Sequence, residues 1–357
     1  VSPSSRYGAA MLMQSDKISR TRPRAMAIWL FVVAAMIVAM VMIGGITRLT
    51  ESGLSITQWK PISGTLPPMT DAAWQAEFDN YKKIPEYTQI NRGMTLAGFK
   101  GIFFWEYAHR LFGRLIGMAF ALPLLWFAVR RAIPAGYGWR LVAILALGGL
   151  QGAIGWWMVA SGQSVRTDVS HVRLAVHLTT ALGLLAGVVW TALDLRALHL
   201  VPFARPAAWR PVAIAALVLL FAQIVYGAFT AGLDAGYAFA SWPLMGDAWF
   251  PGSTPMLDPS WRNPVDNPVV VQFIHRWLAF AAAAALGLLA WRASHSGAPR
   301  AAMLVAGLVI LQIALGIATL LSGVWIVIAV AHQANAALLL VATVWAAHAL
   351  GRRGAAR

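Results

Sequence analysis

Apolar residues in this chain come in long unbroken runs separated by polar connections, with little of the one-face striping of a soluble helix. Eight runs reach the length of about 20 residues that a helix needs to cross the hydrocarbon of a bilayer: 25–46, 103–129, 140–160, 172–193, 211–231, 270–291, 301–321 and 325–347. In hydrocarbon only a helix or a closed barrel satisfies every backbone polar group, so the pattern predicts an all-α polytopic membrane protein with eight transmembrane helices. The first helix is expected to end near Gly44–Gly45. It is too long for the core of a signal peptide and no small-residue cleavage site follows it, so it reads as retained.

Two connections are long. Residues 47–100 contain Thr70 or Asp71 as a helix start, then Trp74, Phe78 and Tyr81 at helical spacing. This predicts a short amphipathic helix on the outer surface, suited to an interfacial anchor as well as to a binding element. Residues 232–269, rich in Gly, Pro, Trp and Asp, read as an irregular cap.

Composition agrees with a membrane protein: 59% of the 357 residues are hydrophobic and 11% charged. The absence of cysteine excludes disulfides and thiolate metal or iron–sulfur sites. The net charge of +15 does not point to nucleic acid, because the basic residues sit at helix ends and not among aromatics on a polar domain. Arg22 and Arg24, Arg130 and Arg131, Arg205 and Arg210, Arg292 and Arg300, and Arg352 and Arg353 all fall on one side, which the positive-inside rule makes cytoplasmic. Only Asp16 and Asp194 of the thirteen acidic residues join them. Both termini are then cytoplasmic, and the long connections lie outside.

An internal repeat is visible. Thr47-x3-Glu51-x-Gly53 matches Thr230-x3-Asp234-x-Gly236, and E-Y-A-H-R (Glu106–Arg110) matches Q-F-I-H-R (Gln272–Arg276). Gln151-x3-Gly155 matches Gln312-x3-Gly316, and His177 matches His332. The chain divides into a basic arm (1–24), a first four-helix unit (25–195) with its outer loop, a linker (196–209), a second four-helix unit (210–348) and a tail (349–357). An even number of helices per unit makes the two bundles tandem, parallel and pseudo-symmetric.

Four of the eight histidines, His109, His177, His275 and His332, lie inside helices at one depth near the outer side, one pair per unit. A lone histidine in an apolar helix is ordinarily a satisfied polar residue. Four at one depth, paired by duplication, suggest ligands. Two imidazoles per unit are too few for zinc, which takes three or four protein ligands; they suit the two axial positions of a haem iron. Gly113 and Gly117, and Ala331, Ala334 and Ala336, leave room beside them. Arg110 and Arg276, each following its histidine, have the fork geometry for haem propionates, and Arg114 lies one turn beyond Arg110. His171 stands at the mouth of the first unit; His199, His295 and His348 lie on the cytoplasmic side and read as uninvolved.

Glu106 is three residues before His109 and on its face, where the second unit has the neutral Gln272. The plain alternative is a Glu106–Arg110 ion pair near the interface. Ionisable groups at membrane depth are costly and usually functional, and a carboxylate can exchange protons or oppose positive charge where an amide cannot. The asymmetry predicts a reactive first half and a redox second half.

G-G-I-T-R-L-T-E-S-G-L-S (Gly44–Ser55), M-T-L-A-G-F-K-x4-W-E-Y-A-H-R-L-x-G-R-L-I-G (Met94–Gly117) and F-I-H-R (Phe273–Arg276) resemble haem A synthase, in the branch found in α-proteobacteria and mitochondria. The resemblance implies oxidation of a methyl group of haem O to the formyl group of haem A for terminal oxidases. It implies haem b on His275 and His332 with Arg276 beside it, and substrate haem O on His109 and His177 with Arg110 and Arg114. Glu106 would then be the catalytic carboxylate. The cysteine pair of other members is absent, so no thiol chemistry carries over. The implied setting is the bacterial inner membrane, with haem O synthase and oxidase assembly factors as partners and a homo-oligomer compatible with it. The electron donor is not legible.

Two other functions fit parts of the pattern. A di-haem b-type electron carrier would place haems near both faces, whereas each helix here has one intramembrane histidine, always on the outer side. A haem transporter or chaperone predicts unwound helices near the midplane, yet Pro123 is the only proline well inside a span.

Overall fold

The computed structural model describes residues 21–353; most of the expected basic arm and the end of the tail lie outside them. The described residues are helical, without a strand. Nine helices matter here: α1 (Pro23–Leu49), α2 (Asp71–Tyr81), α3 (Leu96–Val129), α4 (Gly138–Ala160), α5 (His171–Leu200), α6 (Pro211–Gly232), α7 (Pro268–His295), α8 (Pro299–Leu321) and α9 (Ile326–Arg353). All but α2 are long and apolar enough to cross a membrane. Starts follow local chemistry. Thr70, Thr95, Ser170 and Asn267 cap α2, α3, α5 and α7 through side-chain oxygens, and proline sits in the first turn of α1, α6, α7 and α8.

Several ends differ from expectation. The first helix runs through Gly44–Gly45 to Leu49. Those glycines serve close approach and not termination: a Cβ on Gly44 would lie 3.3 Å from His109 Nε2, and one on Gly45 2.7 Å from Gln333 Oε1. The second span begins at Leu96, two turns before the apolar run, and α3 passes Pro123 without a break. The amphipathic helix α2 buries Phe78 and Tyr81 instead of lying flat on an interface. Phe78 stacks on Phe99 of α3, Tyr81 meets the same ring tilted at 5.3 Å, and Trp74 meets Phe103 edge to face at 4.9 Å. This aromatic cluster makes an extramembrane cap on the extended start of α3.

Helix α1 packs on α3 and α5, and α4 on α3 and α5. In the same cyclic order α6 packs on α7 and α9, and α8 on α7 and α9. The two sets meet through α5 with α6, α1 with α9, and α5 with α9. Glu51 and Asp234, matching positions just after α1 and α6, share a φ of +51° and +51°, and Arg48 donates to Asp234 at 3.0 Å across the join.

The core is uneven along the membrane normal. At the end carrying the short arginine-rich connections, Leu185, Val188, Ala192 and Leu195 of α5, Leu340 and Ala346 of α9, and Met26 and Leu30 of α1 are fully buried. Asp194, which the charge pattern placed on this side, is buried there. It accepts from Arg140 (2.7 Å) and the Ala207 amide (3.1 Å), and meets His348 Nε2 at 2.9 Å. His348 is therefore a structural partner that ties α9 to α4, α5 and the connection before α6. Toward the other end packing thins. Helix α4 has no buried residue between Leu141 and Val159, α8 has none beyond Val305, and residues 172–181 of α5 bury only Ala175. Exposed apolar side chains such as Leu150, Trp157, Ile310 and Leu311 give these two helices the outward surface that hydrocarbon covers.

In the cap, Glu86 is 5% exposed and its Oε2 has no hydrogen-bond partner. Burial pushes its carboxyl up from 4.5 to about 8, with Glu106, Asp168 and Glu51 adding repulsion and Arg48 opposing. A raised carboxyl leaves the folded state holding more protons than the unfolded one, so stability falls as pH rises from 4.5 and levels off above about 8. Detergent melting curves should show this fall in the wild type and a flatter profile in Glu86→Gln; parallel profiles would mean that Glu86 is ionised in the fold.

Candidate haem sites

The four histidines are carried by α3, α5, α7 and α9 and are half-buried. His109 and His177 lie within electrostatic reach of each other, as do His275 and His332. Each imidazole rests on a glycine of the preceding span. A Cβ on Gly44, Gly155, Gly227 or Gly316 would come within 3.3, 3.0, 3.1 or 3.0 Å of His109, His177, His275 or His332 respectively. Side chains at these glycines would push the rings away, so the glycines set the depth of the pairs.

Three of the rings are also held by an amide. Gln223 Nε2 lies 3.1 Å from His275 Nδ1 and donates to the His275 carbonyl at 3.0 Å. Gln151 does the same for His177, at 3.0 and 2.7 Å. Gln312 Nε2 lies 3.3 Å from both His332 Nδ1 and His332 Nε2, and its Oε1 accepts from Asn335 at 2.7 Å. Gln151 Oε1 and Gln223 Oε1 are buried with no partner. In each case the amide N–H side meets both the ring and the backbone of the histidine, which fixes the ring against its own helix. Paired, half-buried imidazoles on glycine floors, with buried arginine nitrogens nearby that lack partners, fit axial ligation of a haem and contact with its propionates.

The expected carboxylate is more enclosed than an interfacial ion pair. Glu106 is 3% exposed. Its Oε2 accepts from Ser55 Oγ (2.7 Å) and the Ile56 amide (2.6 Å), and its Oε1 from Arg110 Nε (3.0 Å) and Nη2. Arg110 also donates to the carbonyls of Ile56 (2.7 Å) and Gln58 (3.0 Å). The pair thus fastens the segment after α1 over the first histidine pair. In the second half Gln272 donates to Phe239 O (3.0 Å), and Arg276 to Phe239 O (3.0 Å) and Ser241 O (3.0 Å). Trp156 and Trp242 lie against the two guanidiniums, at 5.8 and 5.9 Å. Both arginines bind loop carbonyls; Arg276 Nε is buried without a partner.

Arg114 donates to Lys60 O and Pro61 O, both at 2.9 Å, and leaves Nη1 without a partner. It lines a cleft with Lys60, Glu77, Tyr107 and Arg110. His171 faces away from the first pair, with Nε2 3.2 Å from Asp266 Oδ1. It meets Phe229 edge to face, across the α5–α6 contact.

The residues that sequence reading missed are the glutamines and Ser55. The signal was present: Q-x3-G occurs in α4, α6 and α8, each time on the span before a histidine helix. Only two of the three were visible through the repeat.

The chain matches the model of a family described as "Cytochrome oxidase assembly protein" over residues 27–344. It is 58% identical over 331 residues to a protein named "Heme A synthase" from Rhizorhabdus wittichii, covering 93% of this chain and 95% of that one. Proteins of the same name from Sphingopyxis alaskensis and Rhodospirillum centenum are 54% identical (97% of this chain, 98% of that one) and 50% identical (93% and 90%). On these matches, nearly end to end, the chain belongs to the cytochrome oxidase assembly protein family, alongside the proteins named heme A synthase.

Proposed function

We propose that this protein is a haem A synthase, oxidising the methyl group of haem O to the formyl group of haem A in a bacterial inner membrane. The observation that carries the reading is the layer of two glycine-floored histidine pairs. His109 and His177 flank substrate haem O, and His275 and His332 hold haem b, which supplies a one-electron redox centre when bound. The shared cyclic order of helices supports reading the chain as two parallel units, 25–195 and 210–348. The arginines of the short connections support cytoplasmic termini and periplasmic haem sites. Continuous helices and a single histidine layer weigh against a transporter and a transmembrane electron carrier.

The chain's own groups have distinct tasks in this reading. The glycines set ligand depth, and the glutamines orient the imidazoles. Glu106, fixed by Ser55, the Ile56 amide and Arg110, holds negative charge one turn from His109 and opposes positive charge developing at the oxidised carbon. Gln272 has no such charge, which suits a site that transfers electrons only. Arg110 and Arg276 hold the outer segments over the two sites, and Arg114 Nη1 and Arg276 Nε remain free to meet propionates.

Replacing His275 or His332 by Ala should remove the low-spin haem b spectrum of the purified protein, while His109→Ala and His177→Ala retain it. Retention of that spectrum in both C-terminal variants would refute the assignment of the second pair.

Glu106→Gln puts an amide where four donors converge, so it loosens the 52–58 segment as well as removing the charge. Cells supplying haem O should convert it at under a tenth of the wild-type rate, the size of effect expected from losing one placed charge, with haem b content kept. The products are read by chromatography of extracted haems; near-normal haem A would reduce Glu106 to a structural clip.

A further inference from the structure

The four histidines are alike in burial and in their glycine floors, but not in how they are held. Gln151, Gln223 and Gln312 each stand four residues before the glycine of their helix and reach the imidazole across it. The corresponding position of α1, four residues before Gly44, is Met40. Its Cε lies 3.4 Å from where Gly113 would carry a Cβ, so the thioether packs between α1 and α3 beside His109. Among the described residues, His109 makes no hydrogen bond. The nearby amide of Gln333 is engaged elsewhere, donating to Val41 O at 3.1 Å.

Ring orientation follows the same division. His177, His275 and His332 turn Cε1 toward their glycines, at 3.0, 3.1 and 3.0 Å, with Nδ1 next. His109 turns Nε2 and Cδ2 toward Gly44, at 3.3 and 3.5 Å. An untethered ring can swing about its Cβ–Cγ bond, whereas the amide tethers fix the other three.

We propose that His109 is the releasable ligand of the substrate haem, and that Met40, in place of a glutamine, is what leaves it free. The inference rests on the reading that His109 and His177 flank haem O. A substrate site must admit one haem and discharge another at each turnover, whereas a cofactor site need not. One tethering hydrogen bond shifts a ligand's on–off equilibrium by about tenfold. Methionine fills the same space with a flexible apolar chain that has no N–H and only a weak acceptor. Helix α1 thus provides a floor for His109 and no brake.

The test uses carbon monoxide, which binds ferrous haem only where an axial ligand leaves. Full-length protein is purified from cells making haem O, reduced, and mixed with carbon monoxide in a stopped-flow instrument. Wild type should bind it at the substrate haem and not at haem b. Met40→Gln should slow that binding about tenfold, and Met40→Leu should not. The converse change, Gln223→Met, should open haem b to carbon monoxide, and it decides the matter if Met40→Gln does not fold. Equal rates in wild type and folded Met40→Gln, or a haem b still closed in Gln223→Met, would overturn the proposal. If neither His109→Ala nor His177→Ala alters the substrate-haem spectrum, the site assignment itself fails, and that outcome is read separately from the rates.

Discussion

The contact on which this architecture depends is an imidazole edge laid on a glycine backbone, made four times in the bundle. It costs packing. Where the histidines sit, α4 and α8 contribute no buried side chain, and the dense core is displaced to the arginine-rich end. Cohesion is concentrated at that end, where the Asp194–His348–Arg140 cluster and the small-residue face of α9 provide it. Burial of such a charge is tolerated because every Asp194 oxygen has a partner.

The outer segments close over this layer with similar means in both halves and one chemical difference. An arginine directly after the histidine gathers loop carbonyls, a tryptophan covers the guanidinium, and the residue three before the histidine binds the loop backbone. In the first half that residue is a carboxylate with four donors, and in the second an amide with one bond. Positioning and charge are thus combined in Glu106 and separated in the second half, where Gln272 keeps only the positioning.

Much of this was legible in the chain. The eight spans, the shared depth of the histidines and the Glu106–Gln272 asymmetry follow from apolar run length and from spacing, which are local properties. What escaped depends on contacts between distant segments. Gly44–Gly45 looked like a helix end because their reason, the approach of His109 and Gln333, lies on other helices. Glu106 could be read as part of a plain ion pair near the interface because Ser55 and Ile56 cover it only after the loop folds back. His348 looked idle because Asp194 is 154 residues away. The glutamine tethers were half visible, and the difference between Gln223 and Met40 gained meaning only once Gln223 was seen on its imidazole and Met40 beside Gly113.

The central claim is that one chain holds two haems with different duties, one resident and one passing through. Native mass spectrometry of the intact protein, purified from cells supplying haem O, tests it most directly. The account predicts one haem b together with one farnesylated haem, haem O or haem A, on each chain. A single haem per chain, or two copies of haem b with no farnesylated haem, would contradict it.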